Sequence, residues 1–167
     1  MQRRSVIVSA KRTPIGAFQG HLSSLSASDL ASACIKEILN HTSIHAESIN
    51  EVILGNVLSA GQGQAPARQA TLKSGCPDSV ESLTINKMCG SGLKAVMLAD
   101  QAIRCGDAHM IVAGGMESMS NAPYLLNNAR MGQKLGHGQV IDSMIHDGLW
   151  DVYNDKHMGN CAETLAK

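Results

Sequence analysis

The stretch "SVESLTINKMCGSGLKAVMLADQAIRCGDAHMIVAGG", residues 79–115, contains two strand patterns with a helix pattern between them. Residues 79–86 alternate between polar and apolar side chains, which is typical of a strand. Residues 92–106 have helical spacing and end at Gly106, and since most of them are apolar or small we expect a largely buried helix. Residues 108–115 form an apolar run with strand character. This order predicts two parallel strands joined by a crossover helix.

The same alternation extends towards the amino end of the chain. Further predicted elements are a strand at 5–10, a loop at 11–20, a helix from Ser26 or Ser28 to about Asn40, a strand at 51–58 and a helix at 67–75. The predicted fold class is therefore α/β, with a mixed, mostly parallel sheet and helices on its faces.

The pattern changes after residue 115. Residues 116–160 are rich in Gly, Asn, Asp, His and Met and have weak periodicity, which predicts a long loop region over the sheet. "CAETLAK", residues 161–167, begins a helix pattern, and the sequence stops at residue 167 before any residue that could cap the end of that helix. We therefore expect a truncated chain. We divide the chain into an α/β domain, 1–117, and a partial loop domain, 118–167.

The composition excludes several classes of partner. The 167 residues include 14 basic and 14 acidic side chains, so no net charge favours nucleic acid or an anionic membrane. No apolar run approaches the roughly 20 residues of a membrane-spanning helix. The apolar run near the amino end is too short for a signal peptide, so we expect a cytoplasmic protein. The five cysteines are odd in number and form no CxxC pair, which favours free thiols over disulfides or zinc.

Cys89 has the sequence context of a nucleophile. It lies where a strand gives way to a helix, and backbone N–H groups at a helix start stabilise a thiolate. Gly90 and Gly92 remove side chains that would block an approaching acyl group. The competing interpretation is that Cys89 is a small buried residue, as we expect for the other four cysteines.

The local sequence does not supply a base for this thiol. A cysteine nucleophile normally has a histidine partner, and none of the seven histidines has a spacing that ties it to Cys89. His41 and His45 are four residues apart but lack the glutamate of a zinc-protease helix, so no metal site is predicted. "AGQGQAP", residues 60–66, fails as a nucleotide loop because Pro66 replaces the third glycine.

Several long segments resemble the thiolase family, and most closely the acetyl-CoA acetyltransferases of the biosynthetic type. They cover nearly the whole chain in the family's order: "VIVSAKRTPIGAFQGHLSSLSASDL", "EVILGNVLSAGQGQAPARQATLKSG", "NKMCGSGLKAVMLADQAIRCGDAHMIVAGGMESMSNAPYLL" and "HMGNCAETLAK". The resemblance implies the amino-terminal half of a thiolase-like fold and part of its loop domain. It also implies acyl transfer between coenzyme A thioesters, which are substrates, with no cofactor or metal.

The resemblance implies roles for individual residues. The Cys89 thiolate attacks the thioester carbonyl, while its backbone N–H stabilises the developing oxyanion. His157 and Met158 match the pair that lines the family's acyl and pantetheine pocket. We expect Glu117, in "GGMESMS", to anchor loops, and Arg68 to be structural or at a subunit contact. Asn86 and Ser91 are expected to shape the turn at Cys89 without direct chemistry.

Three motifs that thiolases have in their carboxyl half do not occur in this sequence. These are the GHP motif with the base histidine, the NEAF motif and the CxGGG motif with the second cysteine. We therefore expect this chain alone to be catalytically incompetent, while the full-length form is a homo-oligomer, a dimer or tetramer. Alternatives are a split enzyme, a broad-range 3-ketoacyl-CoA thiolase fragment, a non-catalytic half-domain that binds an intact thiolase subunit, or a related condensing enzyme.

Overall fold

A three-stranded parallel sheet forms the centre of the computed structural model, which describes residues 4–166. The strands are β1 (Glu51–Gly55), β2 (Glu81–Ile85) and β3 (Ile111–Gly115), and their order in the sheet is β2–β1–β3. In this register the first residue of β1 lies between those of β2 and β3. The α/β class is confirmed, and the three strands lie inside the ranges predicted at 51–58, 79–86 and 108–115.

Three helices accompany the sheet, each within two residues of its predicted start and end. They are α1 (Ala27–Thr42), α2 (Pro66–Lys73) and α3 (Ser91–Cys105). Ser26 begins α1 with a capping box, because its side chain accepts from the Asp29 N–H and the Asp29 side chain accepts from the Ser26 N–H. Gly106 ends α3 with a φ of 90°, a left-handed conformation that glycine adopts without steric cost.

The helices cover the sheet from both sides. Val52 and Leu54 belong to a buried cluster with residues of α1 and α2, including Ile35 and Ala70. Because side chains alternate along a strand, the intervening Ile53 and Gly55 face the opposite side, where α3 packs. The chain adds β2 on one side of β1 and then β3 on the other, so the two right-handed connections place α2 and α3 on opposite faces of the sheet.

The predicted strand at 5–10 is wrong. This segment is assigned no strand and pairs with none of the strands in the described range. Val6, Ile7 and Val8 are 79%, 84% and 66% exposed. The segment is attached by side chains instead, since Ser5 donates to Asp100 of α3 and Lys11 donates to Glu37 of α1 at 3.2 Å. Its apolar, β-branched sequence favours a strand, but a strand also needs a neighbour with free backbone groups in register.

The predicted burial of α3 is also wrong. Its buried residues are small and lie four apart: Ser91, Ala95 and Ala99. Leu93 and Met97 are 69% and 49% exposed, because they lie on the face turned away from the sheet. The apolar content of the helix predicted its existence correctly but overestimated how much of its surface is covered.

Short elements replace regular structure after Met116, as the weak periodicity predicted. Two-residue strands pair antiparallel, β4 (Tyr124–Leu125) with β5 (Ile141–Asp142) and β6 (Trp150–Asp151) with β7 (Lys156–His157). This region also contains a π-helix at Met144–Leu149 and 3-10 turns at Met119–Asn121 and Ala129–Met131. A further 3-10 turn, Ala46–Ser48, lies between α1 and β1. The last helix, α4 (Met158–Leu165), starts three residues before its prediction at 161 because His157 caps it. Within residues 4–166, no helix has the length and hydropathy needed to cross a membrane.

Candidate active site

A cavity of about 350 Å³ opens where the carboxyl ends of β1 and β3 meet the start of α3. In α/β proteins this edge of the sheet is where ligands bind. Most of the residues that line it are apolar or glycine: Gly55, Asn56, Val57, Leu58, Met88, Cys89, Ser91, Gly92, Gly115, Met116, Glu117, Met119, Gly148 and Leu149. The arrangement gives an apolar recess with a single thiol in its lining.

Cys89 lies in the short turn between β2 and α3 and is exposed. The turn is fixed by side chains on either side of it. Asn86 Oδ1 accepts from the Met88 N–H at 2.9 Å, and Ser91 Oγ accepts from the Lys87 N–H at 2.8 Å. Ser91 Oγ also donates to the Met88 carbonyl at 2.6 Å. The prediction that Asn86 and Ser91 shape this turn is confirmed.

The start of α3 provides the electrostatic environment of the thiol. Gly90 is the N-cap of α3, so Cys89 directly precedes the cap of a helix of 15 residues. The partial positive charge of a helix N-terminus stabilises an anion at such a position. A thiolate is the nucleophilic form of cysteine, so this position favours nucleophilic chemistry at Sγ.

Gly55, at the end of β1, is the glycine that the site requires most. A Cβ on Gly55 would lie 2.5 Å from Ser91 Cβ and 2.9 Å from the Gly92 backbone nitrogen. The glycines singled out from sequence are under less constraint, because a Cβ on Gly90 or Gly92 would meet no atom closer than 3.5 Å. Sequence reasoning missed Gly55, and the glycine that ends the apolar run "EVILG" was the available signal.

Glu117 anchors the wall of the cavity that follows β1. Its carboxylate accepts from Asn56 Nδ2 at 2.7 Å, from the Val57 N–H at 2.8 Å and from the Leu58 N–H at 3.2 Å. Burial raises the pKa of Glu117, and these hydrogen bonds act in the opposite direction. The expectation that Glu117 anchors loops is confirmed.

Arg68 has a structural role, which is one of the two roles predicted for it, the other being a subunit contact. Its guanidinium donates to the Asp78 carbonyl at 2.8 Å and also to the Val80 carbonyl. These bonds tie α2 to the segment that leads into β2.

His157 and Met158 lie outside the residues that line this cavity. His157 is the N-cap of α4, and its Nδ1 accepts from the Gly159 N–H at 2.9 Å. Met158 is the first residue of α4 and is 39% exposed. Their role in an acyl and pantetheine pocket stays a prediction. No histidine is part of the cavity lining among the described residues, so that lining presents a thiol without a neighbouring imidazole.

Comparison with known proteins finds relatives that match nearly the whole chain. The family model described as "Thiolase, N-terminal domain" matches residues 5–167. The acetyl-CoA acetyltransferase of Pseudomonas aeruginosa is 56% identical over 162 residues, which are 97% of this chain and 41% of that protein. The probable acetyl-CoA acetyltransferase of Escherichia coli is 54% identical with the same coverage. A probable acetyl-CoA acyltransferase of Staphylococcus aureus is 51% identical over 164 residues, 98% of this chain and 42% of the relative. The chain thus spans about two fifths of the length of these curated relatives.

Proposed function

Because the chain belongs to the thiolase family, through its amino-terminal domain, we propose that Cys89 is the residue that accepts an acyl group from a coenzyme A thioester. The observation that carries this proposal is the position of Cys89, which is exposed before the N-cap of α3 and lines the apolar cavity at the carboxyl edge of the sheet. The names of the relatives in Pseudomonas aeruginosa and Escherichia coli support acetyl-CoA as the substrate.

The proposed acyl transfer proceeds in two stages. The Cys89 thiolate adds to the thioester carbonyl, and the carbonyl electrons move onto oxygen. When the carbonyl re-forms, the bond to the coenzyme A sulfur breaks and that sulfur leaves as a thiolate. In this proposal the Cys89 backbone N–H donates to the developing oxyanion, and a donor fixed at a helix start stabilises that charge without reorganising.

The cavity walls can contact an acyl group. Leu58, Met88 and Met119 contribute apolar side chains to the lining. Glu117 fixes the backbone of Val57 and Leu58, so the wall beside the acyl group keeps one shape.

Condensation with a second acetyl-CoA requires a base to form the enolate, and the cavity lining described within residues 4–166 does not supply a histidine for that role. We propose that the base and the proton donor correspond to parts of the relatives beyond the 41% that this chain spans. The 167-residue chain by itself then accepts an acyl group at most once and forms no acetoacetyl-CoA. We further propose that the complete enzyme is a homo-oligomer.

A second candidate is a broad-range thiolase that acts on longer 3-ketoacyl-CoA substrates. The relative in Staphylococcus aureus is named an acyltransferase and not an acetyltransferase, and this less specific name supports the second candidate. Acyl donors of increasing chain length distinguish the two candidates, because an acetyl-specific enzyme acylates Cys89 only with short donors, whereas a broad-range enzyme also accepts longer ones.

The test is acylation of the purified chain by acetyl-CoA, followed by mass spectrometry of its peptides. We expect a thioester-linked acetyl group on the peptide with Cys89, and none on that peptide in Cys89→Ser. Cys105→Ser is the matched control and keeps the adduct, because Cys105 is an exposed thiol at the other end of α3. An adduct spread equally over the exposed cysteines would contradict the proposal, and so would steady production of acetoacetyl-CoA by this chain alone.

A further inference from the structure

Met88, the residue before Cys89, has an unusual backbone. Its φ is 49°, in the left-handed region that residues other than glycine, asparagine and aspartate rarely adopt. Such a conformation persists only where the surrounding structure enforces it, and it is found preferentially at functional sites. The question is which group enforces it here.

Ser91 bonds to backbone groups before and after Met88, namely the Lys87 N–H and the Met88 carbonyl. Its Oγ accepts from the Lys87 N–H at 2.8 Å and donates to the Met88 carbonyl at 2.6 Å. The Ser91 N–H donates to the same carbonyl at 3.0 Å. Ser91 therefore closes the turn around the left-handed residue with three hydrogen bonds.

The sheet fixes Ser91 itself in place. The residue is 5% exposed, and the space beyond its Cβ is occupied by the backbone of Gly55 at the end of β1. Asn86 adds one further bond to Met88, but it does so from the exposed side of the turn. Ser91 is thus the group that transmits the rigid packing of α3 on β1 to the turn that contains Cys89.

We propose that Ser91 is a positioning residue for the Cys89 thiol. By keeping Met88 in the left-handed conformation, it keeps Cys89 next to the N-cap of α3 and in the cavity lining. Without Ser91 Oγ the turn relaxes, and the thiol leaves the field of the helix N-terminus. The inference rests on the proposed function, in which Cys89 accepts the acyl group.

Two thiols on one helix provide an internal reference for a test. Cys89 precedes the N-cap of α3, while Cys105 is its last residue, and both are exposed. The helix dipole favours an anion at the first position and disfavours it at the second, so we expect Cys89 to be alkylated about two to five times faster than Cys105.

The experiment measures the ratio of Cys89 to Cys105 alkylation by limiting iodoacetamide, with peptide mass spectrometry as the readout. In Ser91→Ala we expect the ratio to fall by about 1.5- to twofold, because the contribution at Cys89 is lost while the one at Cys105 remains. Ser118→Ala is the matched control, because it removes a serine hydroxyl that bonds elsewhere, to the Leu25 carbonyl, and should keep the original ratio.

A second substitution separates positioning from a general structural role. Glycine adopts the left-handed conformation freely, so Met88→Gly alone keeps the ratio at or above its original value. The double variant with Ser91→Ala should return to the ratio of Met88→Gly, since the turn no longer needs to be enforced. A ratio that is unchanged in Ser91→Ala, or that stays low in the double variant, would overturn the proposal.

Met88→Gly also covers the case in which Ser91→Ala does not fold. Because glycine removes the cost of the left-handed conformation, the double variant Met88→Gly/Ser91→Ala should then fold. A double variant that stays unfolded would likewise overturn the proposal. Because alkylation needs no thioester, failure here is distinguishable from failure of the acetyl-CoA experiment.

Discussion

Gly55→Ala tests whether β1 seats the helix that presents Cys89. The added Cβ would lie 2.5 Å from Ser91 Cβ, 2.7 Å from the Ser91 carbonyl carbon and 2.9 Å from the Gly92 nitrogen. Carbon atoms in contact prefer about 3.5–4.0 Å, so the first turn of α3 must move by roughly 1 Å. Two of the three contacts are with backbone atoms, which no change of rotamer relieves.

The expected cost follows from two opposing effects. Overpacking of this kind destabilises by about 1–3 kcal/mol, while replacing glycine restricts the unfolded chain and returns about 0.4–1 kcal/mol. We therefore expect Gly55→Ala to lower the free energy of unfolding by roughly 1–2 kcal/mol. Because the displaced turn includes Ser91, alkylation of Cys89 relative to Cys105 should also fall.

Urea unfolding gives the free energy, and limited alkylation gives the reactivity of the thiol. Gly90→Ala is the control, because a Cβ there meets no atom closer than the Lys87 carbonyl at 3.5 Å. We expect that variant to lie within about 1 kcal/mol of the original. Original stability and original Cys89 reactivity in Gly55→Ala would refute the argument that α3 is seated on Gly55.

Three further predictions concern the supports of the fold and the site. The Lys73 ammonium and the Ser26 cap lower the pKa of Asp29 to about 2, so its contribution to stability is present above about pH 4 and lost as pH falls through about 2. Asp29→Asn should cost about 0.5–1.5 kcal/mol at pH 7, and urea unfolding should show the difference shrinking in acid. Glu117→Gln places an amide donor against backbone donors and should cost about 1–3 kcal/mol by thermal unfolding, whereas the exposed Glu163→Gln should cost almost nothing. His157→Ala removes the cap of α4 and should accelerate hydrogen exchange there, while His157→Asn should keep the protection.

Local signals explain why much of the fold was predictable from sequence. The cap at Ser26 and the stop at Gly106 depend on neighbouring residues alone. Gly106 is the predicted stop, and Ser26 is one of the two predicted caps. The alternation in residues 79–86 likewise places β2 to within two residues at its start and one at its end. The turn around Cys89 was predictable for the same reason, because Asn86 and Ser91 bond to atoms a few residues away.

Features that depend on distant parts of the chain were not predictable. Residues 5–10 have strand propensity, but whether they pair is decided by an edge contributed from elsewhere in the chain. The exposed face at Leu93 and Met97 depends on which element packs against α3, and periodicity does not contain that information. The requirement for Gly55 arises from contact with a helix that starts 36 residues later, at Ser91.

We propose that the start of α3 makes Cys89 the more reactive of the two exposed thiols on this helix. The decisive measurement is the alkylation of Cys89 and Cys105 in the same unmodified molecule at neutral pH, since the two thiols lie at opposite ends of one helix. We expect iodoacetamide to modify Cys89 about two to five times faster than Cys105. Equal rates, or faster modification of Cys105, would contradict it.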